Sequence, residues 1–139
     1  MRILAFAVLL LAGCEERPSP AQLALGEKIY AQHCAACHGA NLEGQPNWRE
    51  RMANGRMPAP PHDESGHTWH HTDEVLFGIT KQGLVPGKYA PPGYQSDMPA
   101  FGGTLSDAEI RAVLAFIQGH WKTKEVLEAR AEMVRNARR

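Results

Sequence analysis

Cys34-Ala35-Ala36-Cys37-His38 concentrates more chemistry than any other segment of the chain. Two thiols at this spacing can each add to one vinyl group of a porphyrin while the adjacent histidine reaches the iron from the same side, which is how c-type haem is attached. Two other uses of these residues compete. A redox-active dithiol of the thioredoxin kind expects a parallel-sheet context, and the sequence carries no alternating strand pattern. Half of a zinc site expects further Cys or His at matching spacing. The export signal described below and His38 itself favour haem, as the one covalent cofactor.

A second unusual stretch is His62-Asp63-Glu64-Ser65-Gly66-His67-Thr68-Trp69-His70-His71, with four histidines and two carboxylates in ten residues. Neutral imidazole suits copper and zinc, so a metal-binding or redox-sensing module is one reading of this loop. The preferred one is a polar loop without a tight second metal, because irregular backbone offers no evident device to fix ligand geometry.

The third cysteine, Cys14, closes Leu11-Ala12-Gly13-Cys14, which resembles the lipobox of bacterial lipoproteins. Before it, Arg2 and the apolar run from Ile3 to Ala12 have the form of an export signal, too short to span a bilayer, which takes roughly 20 apolar residues. The expectation is a signal peptide at 1–13, lipidation of Cys14 and a tether over 14–19. The mature domain would then sit on the periplasmic side of a bacterial membrane, anchored by lipid. Lys plus Arg and Asp plus Glu balance at 15 each, so no general basic field argues for nucleic acid as a partner.

The elements that must position these groups are helical. Ser19-Pro20-Ala21-Gln22 has the form of a capping box with proline at the first helical position, and the helix should run to about Gln32. Gly26, Tyr30 and Cys34 recur every four residues and so line one face of it. The Gly-, Pro-, Asn- and His-rich stretch from Asn41 to His71 reads as irregular loop, plausible at that length if it wraps a large cofactor. Thr72 should cap a helix from Asp73 to Gln82, ended by Gly83. A proline-rich loop from Val85 to Phe101 follows. Ser106-Asp107-Ala108-Glu109 is a further capping box, opening a helix with Ile110, Val113, Leu114, Ile117 and Trp121 at helical spacing. The charged segment 122–139 reads as a solvated, partly frayed extension in preference to a partner-docking arm, although Val126, Met133 and Val134 could give a thin helical stripe.

Over residues 20–121 the sequence resembles class I cytochromes c. The resemblance implies an all-α fold, three to four helices and long loops wrapped around one covalent haem, with redox proteins as partners. It implies that Gly26 and Tyr30 let the first and last helices cross closely, against Val113, Phe116 and Ile117. It makes Met98, in Met98-Pro99-Ala100-Phe101, the iron ligand opposite His38, ahead of its near copy Met57-Pro58-Ala59. It also casts Trp69 as donor to a haem propionate, Pro46 as the carbonyl orienting His38, and Tyr89 or Tyr94 as partner of Met98 or a propionate. Occupation of both axial positions implies an electron carrier without catalytic residues. The enzymatic rival is a haem peroxidase or oxidase component in which Met98 dissociates.

Overall fold

Ser19 starts the first helix: its backbone is extended and its side-chain oxygen accepts the Gln22 amide at 3.1 Å, and Pro20 costs nothing where its missing N–H has no helical partner. The computed structural model describes residues 17–137. The expected signal peptide and Cys14 lie outside the described residues.

Helix α1 spans Pro20–His33 and runs through Cys34 into the short α2, Ala35–His38. A 3-10 turn, Thr68–His70, precedes α3, Asp73–Gln82, which Thr72 caps at Val75 N and Gly83 ends with φ +79°. Helix α4, Asp107–Gln118, opens on a reciprocal box: Ser106 Oγ accepts the Glu109 amide while the Glu109 carboxylate accepts the Ser106 amide. Helix α5 is Lys124–Ala137. Among the described residues there is no strand, only an isolated bridge between Pro86 and Ala90. The fold is all-α.

The core forms where α1 crosses α4. Ile29, Tyr30, Ile110, Val113, Leu114 and Ile117 are buried there, joined by Leu42, Leu76, Leu105, Trp121 and Val126. Gly26 is the point of closest approach. A Cβ on it would overlap the Ala112 carbonyl and stand 2.8 Å from Phe116 Cβ, so only glycine lets the backbones meet. One turn on, the Tyr30 and Phe116 rings lie 5.5 Å apart. Ala112 thus joins Phe116 at the crossing, whereas Val113 and Ile117 fill the core beside it.

The C-terminal segment differs from the frayed extension read from the sequence. Helix α5 folds back onto the body with Val126 only 4% exposed. The Glu64 carboxylate accepts the Thr123 amide at 2.6 Å and the Lys122 amide as well, and so caps the helix from the distant loop. Arg130 donates to the His71 carbonyl and to Asp73, and its guanidinium lies 5.2 Å from the Trp121 ring centroid. A thin apolar stripe suffices because polar partners far away in sequence complete the docking.

Candidate haem site

The attachment motif lies at the junction of α1 and α2. Cys34 ends α1, its amide bonded to the Tyr30 carbonyl at 2.9 Å, and Cys37 and His38 return amides to the Cys34 carbonyl at 3.1 and 2.9 Å. This tight turn gathers both cysteines and His38 into one helical turn. Both thiols are free of disulfide partners. Burial, then the neighbouring Cys37, pushes the Cys34 thiol up to about 11. An activated, nucleophilic thiol shows the opposite shift.

His38 is buried, and its Nδ1 lies 2.8 Å from the carbonyl oxygen of Pro60. That bond holds Nδ1 and leaves Nε2 as the nitrogen available to a metal. Burial lowers the His38 pKa against the opposing pull of the Pro60 bond, which favours the neutral imidazole that coordination requires. Tyr30 braces the turn from beneath, its hydroxyl donating to the Gly39 carbonyl at 2.8 Å. Two unpaired thiols and a neutral, oriented imidazole are the donor set that a covalent haem takes.

Pro46 does not supply the orienting carbonyl; Pro60 does, and Pro46 is exposed. The reason is a pinch in the loop. The Gln45 amide donates to the Ala59 carbonyl at 2.9 Å and the Ala59 amide to Gln45 Oε1 at 3.0 Å. Residues 46–58 therefore form a side excursion, and the chain returns to His38 only at Pro60. The Pro58-Ala59-Pro60-Pro61 run was the sequence signal for that return.

Met98 is half-buried, in a loop docked on the end of α3 by bonds from the Phe101 and Gly102 amides to the Thr80 and Lys81 carbonyls, each 2.9 Å. Asp97, just before it, pairs with Arg56, just before Met57. The two Met-Pro-Ala tripeptides, far apart in sequence, are thus tied together at their starts. Trp69 directs its indole N–H to the Glu64 carbonyl at 3.3 Å and stacks on His70 at 3.6 Å, bracing its own loop. Tyr89 lies against Gly78 of α3, and Tyr94 sits below the Arg51 guanidinium.

The histidine-rich loop spreads its rings. His62 turns inward and stacks on His38, His67 stacks on Trp48 at 5.5 Å, and His70 covers Trp69. Burial holds His62 well below the ordinary imidazole range and lowers His67 and His71 too. No group of three or more His, Cys, Asp or Glu among the described residues is arranged to hold a metal ion.

An all-α body with a Cys-X-X-Cys-His turn beside an oriented histidine defines a c-type cytochrome domain. The family model for cytochrome c matches residues 23–121, and the chain belongs to that family. It is 30% identical to cytochrome c6 of Synechococcus sp. over 120 residues, covering 84% of this chain and 88% of that protein. Cytochrome c6 of Thermosynechococcus vestitus is 29% identical, with 83% and 85% covered. Thiosulfate dehydrogenase of Stutzerimonas stutzeri is 27% identical over 81% of this chain, which spans only 33% of that protein. No solved structure matches the chain significantly. The protein thus carries a covalently bound haem c and serves haem-based electron transfer. Among the described residues no helix is long and apolar enough to cross a membrane.

Proposed function

We propose that the protein is a lipid-tethered single-electron carrier in which Cys34 and Cys37 hold the haem through thioethers and His38 and Met98 ligate its iron. The observation that carries this reading is the Pro60 bond to His38 Nδ1, which occupies that nitrogen and supports Nε2 as the ligating one. Bound there, the haem supplies a one-electron iron couple. His38 provides a neutral nitrogen whose ring Pro60 keeps oriented. Met98 provides a thioether, a soft ligand that favours ferrous iron and raises the potential. Tyr30 and the α1–α4 core close the inner side of the site against water. Cys14, acylated, would hold the domain at the periplasmic face of a bacterial membrane through the short segment before Pro20.

Two variants test the ligation. Met98→Ala should abolish the long-wavelength charge-transfer band of ferric iron bound to methionine and open the iron to carbon monoxide, while Met57→Ala leaves both unchanged. Native protein that is high-spin and binds carbon monoxide readily would replace the carrier with the peroxidase or oxidase reading. Cys14→Ser should release a red, soluble protein; unaltered membrane partition would remove the anchor.

A second role has its own support. The chain is similar to part of a thiosulfate dehydrogenase and, at 27% identity, to part of a gluconate 2-dehydrogenase cytochrome c subunit. The same domain can therefore serve as the electron acceptor of a dehydrogenase. Reduction of the haem by a purified dehydrogenase together with its substrate, and not by the substrate alone, would identify that role.

A further inference from the structure

The flat face of the His38 ring is covered by a second imidazole. His62 lies nearly parallel to it, with centroids 3.9 Å apart and 20° between the planes. His62 is itself tied at three points. Its amide donates to the Leu42 carbonyl at 2.7 Å. Its carbonyl accepts the Trp121 indole N–H at 2.9 Å. Its Nδ1 is hydrogen-bonded to Thr68 Oγ1 at 2.8 Å, and that buried hydroxyl lies 3.3 Å from the Pro61 carbonyl. The loop carrying His62 is held in turn by α5, which Glu64 caps and from which Arg130 reaches His71. Two backbone bonds and one side-chain bond on a single residue describe a part whose position matters.

We propose that His62 is a positioning residue that sets the plane of the iron-bound His38 imidazole, with α5 as the clamp that keeps it in place. The inference rests on His38 being the iron ligand. An imidazole bound through Nε2 keeps one soft motion, rotation about the bond to the metal. The Pro60 bond resists that motion weakly, because hydrogen-bond directions at a carbonyl are broadly distributed. A fixed ring lying parallel against the face resists it directly, since any rotation drives the two rings into each other. In low-spin ferric iron the plane of an axial imidazole orients the half-filled d orbital, and with it the spread of unpaired spin around the haem. His62 thereby selects which edge of the haem is best coupled to a partner.

The test uses the haem-loaded full chain with His62 changed to Ala, Leu or Phe. Proton NMR of the ferric state reads the hyperfine shifts of the four haem methyls, and low-temperature electron paramagnetic resonance reads the g-anisotropy. Leu keeps volume without a flat face, and Phe keeps the flat face without the nitrogens. His62→Leu and His62→Ala should change the order or spread of the methyl shifts and the g values while the iron stays low-spin. His62→Phe should return the native pattern. Native shifts in a folded, low-spin Leu variant overturn the proposal, as does a Phe variant displaced as far as Leu. Failure of the carrier reading looks different: it shows in the unmutated protein, as iron that is not low-spin with histidine and methionine ligands.

Discussion

Replacing Gly26 with alanine sets two opposing effects against each other. In a helix interior alanine is favoured over glycine by about 0.8–1 kcal/mol, so α1 considered alone gains stability. The new Cβ, however, overlaps the Ala112 carbonyl and stands 2.8 Å from Phe116 Cβ. The first of these neighbours is backbone, which cannot rotate away, so the helices must separate. Overpacking of this kind costs about 1–3 kcal/mol and occasionally more. Separation would also loosen Tyr30 against Phe116, a contact worth about 0.5–1.5 kcal/mol beyond area. The sum favours net destabilisation of about 0.5–3.7 kcal/mol, or a fall in melting temperature of about 2–15 °C at roughly 4 °C per kcal/mol for a domain of this size. Thermal unfolding followed by circular dichroism at 222 nm measures it. A melting temperature equal to or above that of the native protein would mean that the close crossing, and the account of Gly26, are wrong.

The α5 cap should be pH-dependent. Bonds from the Thr123 and Lys122 amides lower the Glu64 pKa, so the carboxylate stabilises the folded state above the ordinary carboxylate range and loses that contribution as pH falls through its lowered folded value. Amide exchange at the start of α5 should therefore accelerate in acid, and Glu64→Gln should flatten the dependence; an unchanged profile would remove the cap from the account. Trp121→Phe keeps the buried ring but leaves the His62 carbonyl without its donor, at a cost of about 1–3 kcal/mol. Urea unfolding should show that loss, whereas a change below about 0.3 kcal/mol would mean that water replaces the indole without penalty.

What could be read beforehand was local. Ser19, Thr72 and Ser106 each sit within three residues of the amide they cap, and α1, α3 and α4 begin where these residues indicate. The partners of α5 lie far off: Glu64 is 58 residues from Lys122, and His71 is 59 from Arg130. No window along the chain contains both halves of those contacts, so the segment read as a solvated tail. The same applies within the site. The Cys-X-X-Cys-His turn is contiguous and legible, but the carbonyl that orients His38 comes from 22 residues away. The family resemblance points to Pro46, and only the pinch between Gln45 and Ala59 explains why the chain passes it by. His62 was read within a polar loop of four histidines, and nothing in its neighbours showed that one ring points inward.

The pinch between Gln45 and Ala59 has an evolutionary consequence. Everything between those two residues hangs from a closed neck, so its length can change without moving Pro60 or the ring it orients. The entropic cost of such change is small, since each doubling of a flexible loop adds only about 0.6 kcal/mol. The neck thus separates two kinds of heredity in one short stretch of chain. The return through Pro60 and Pro61 is constrained by the ring it orients, and Trp48, Arg56 and Pro58 are held by the body, while the exposed tip, residues 49–55, is free to be lengthened, shortened or exchanged as partners change, a natural site for diversification in a domain otherwise committed to holding one group still.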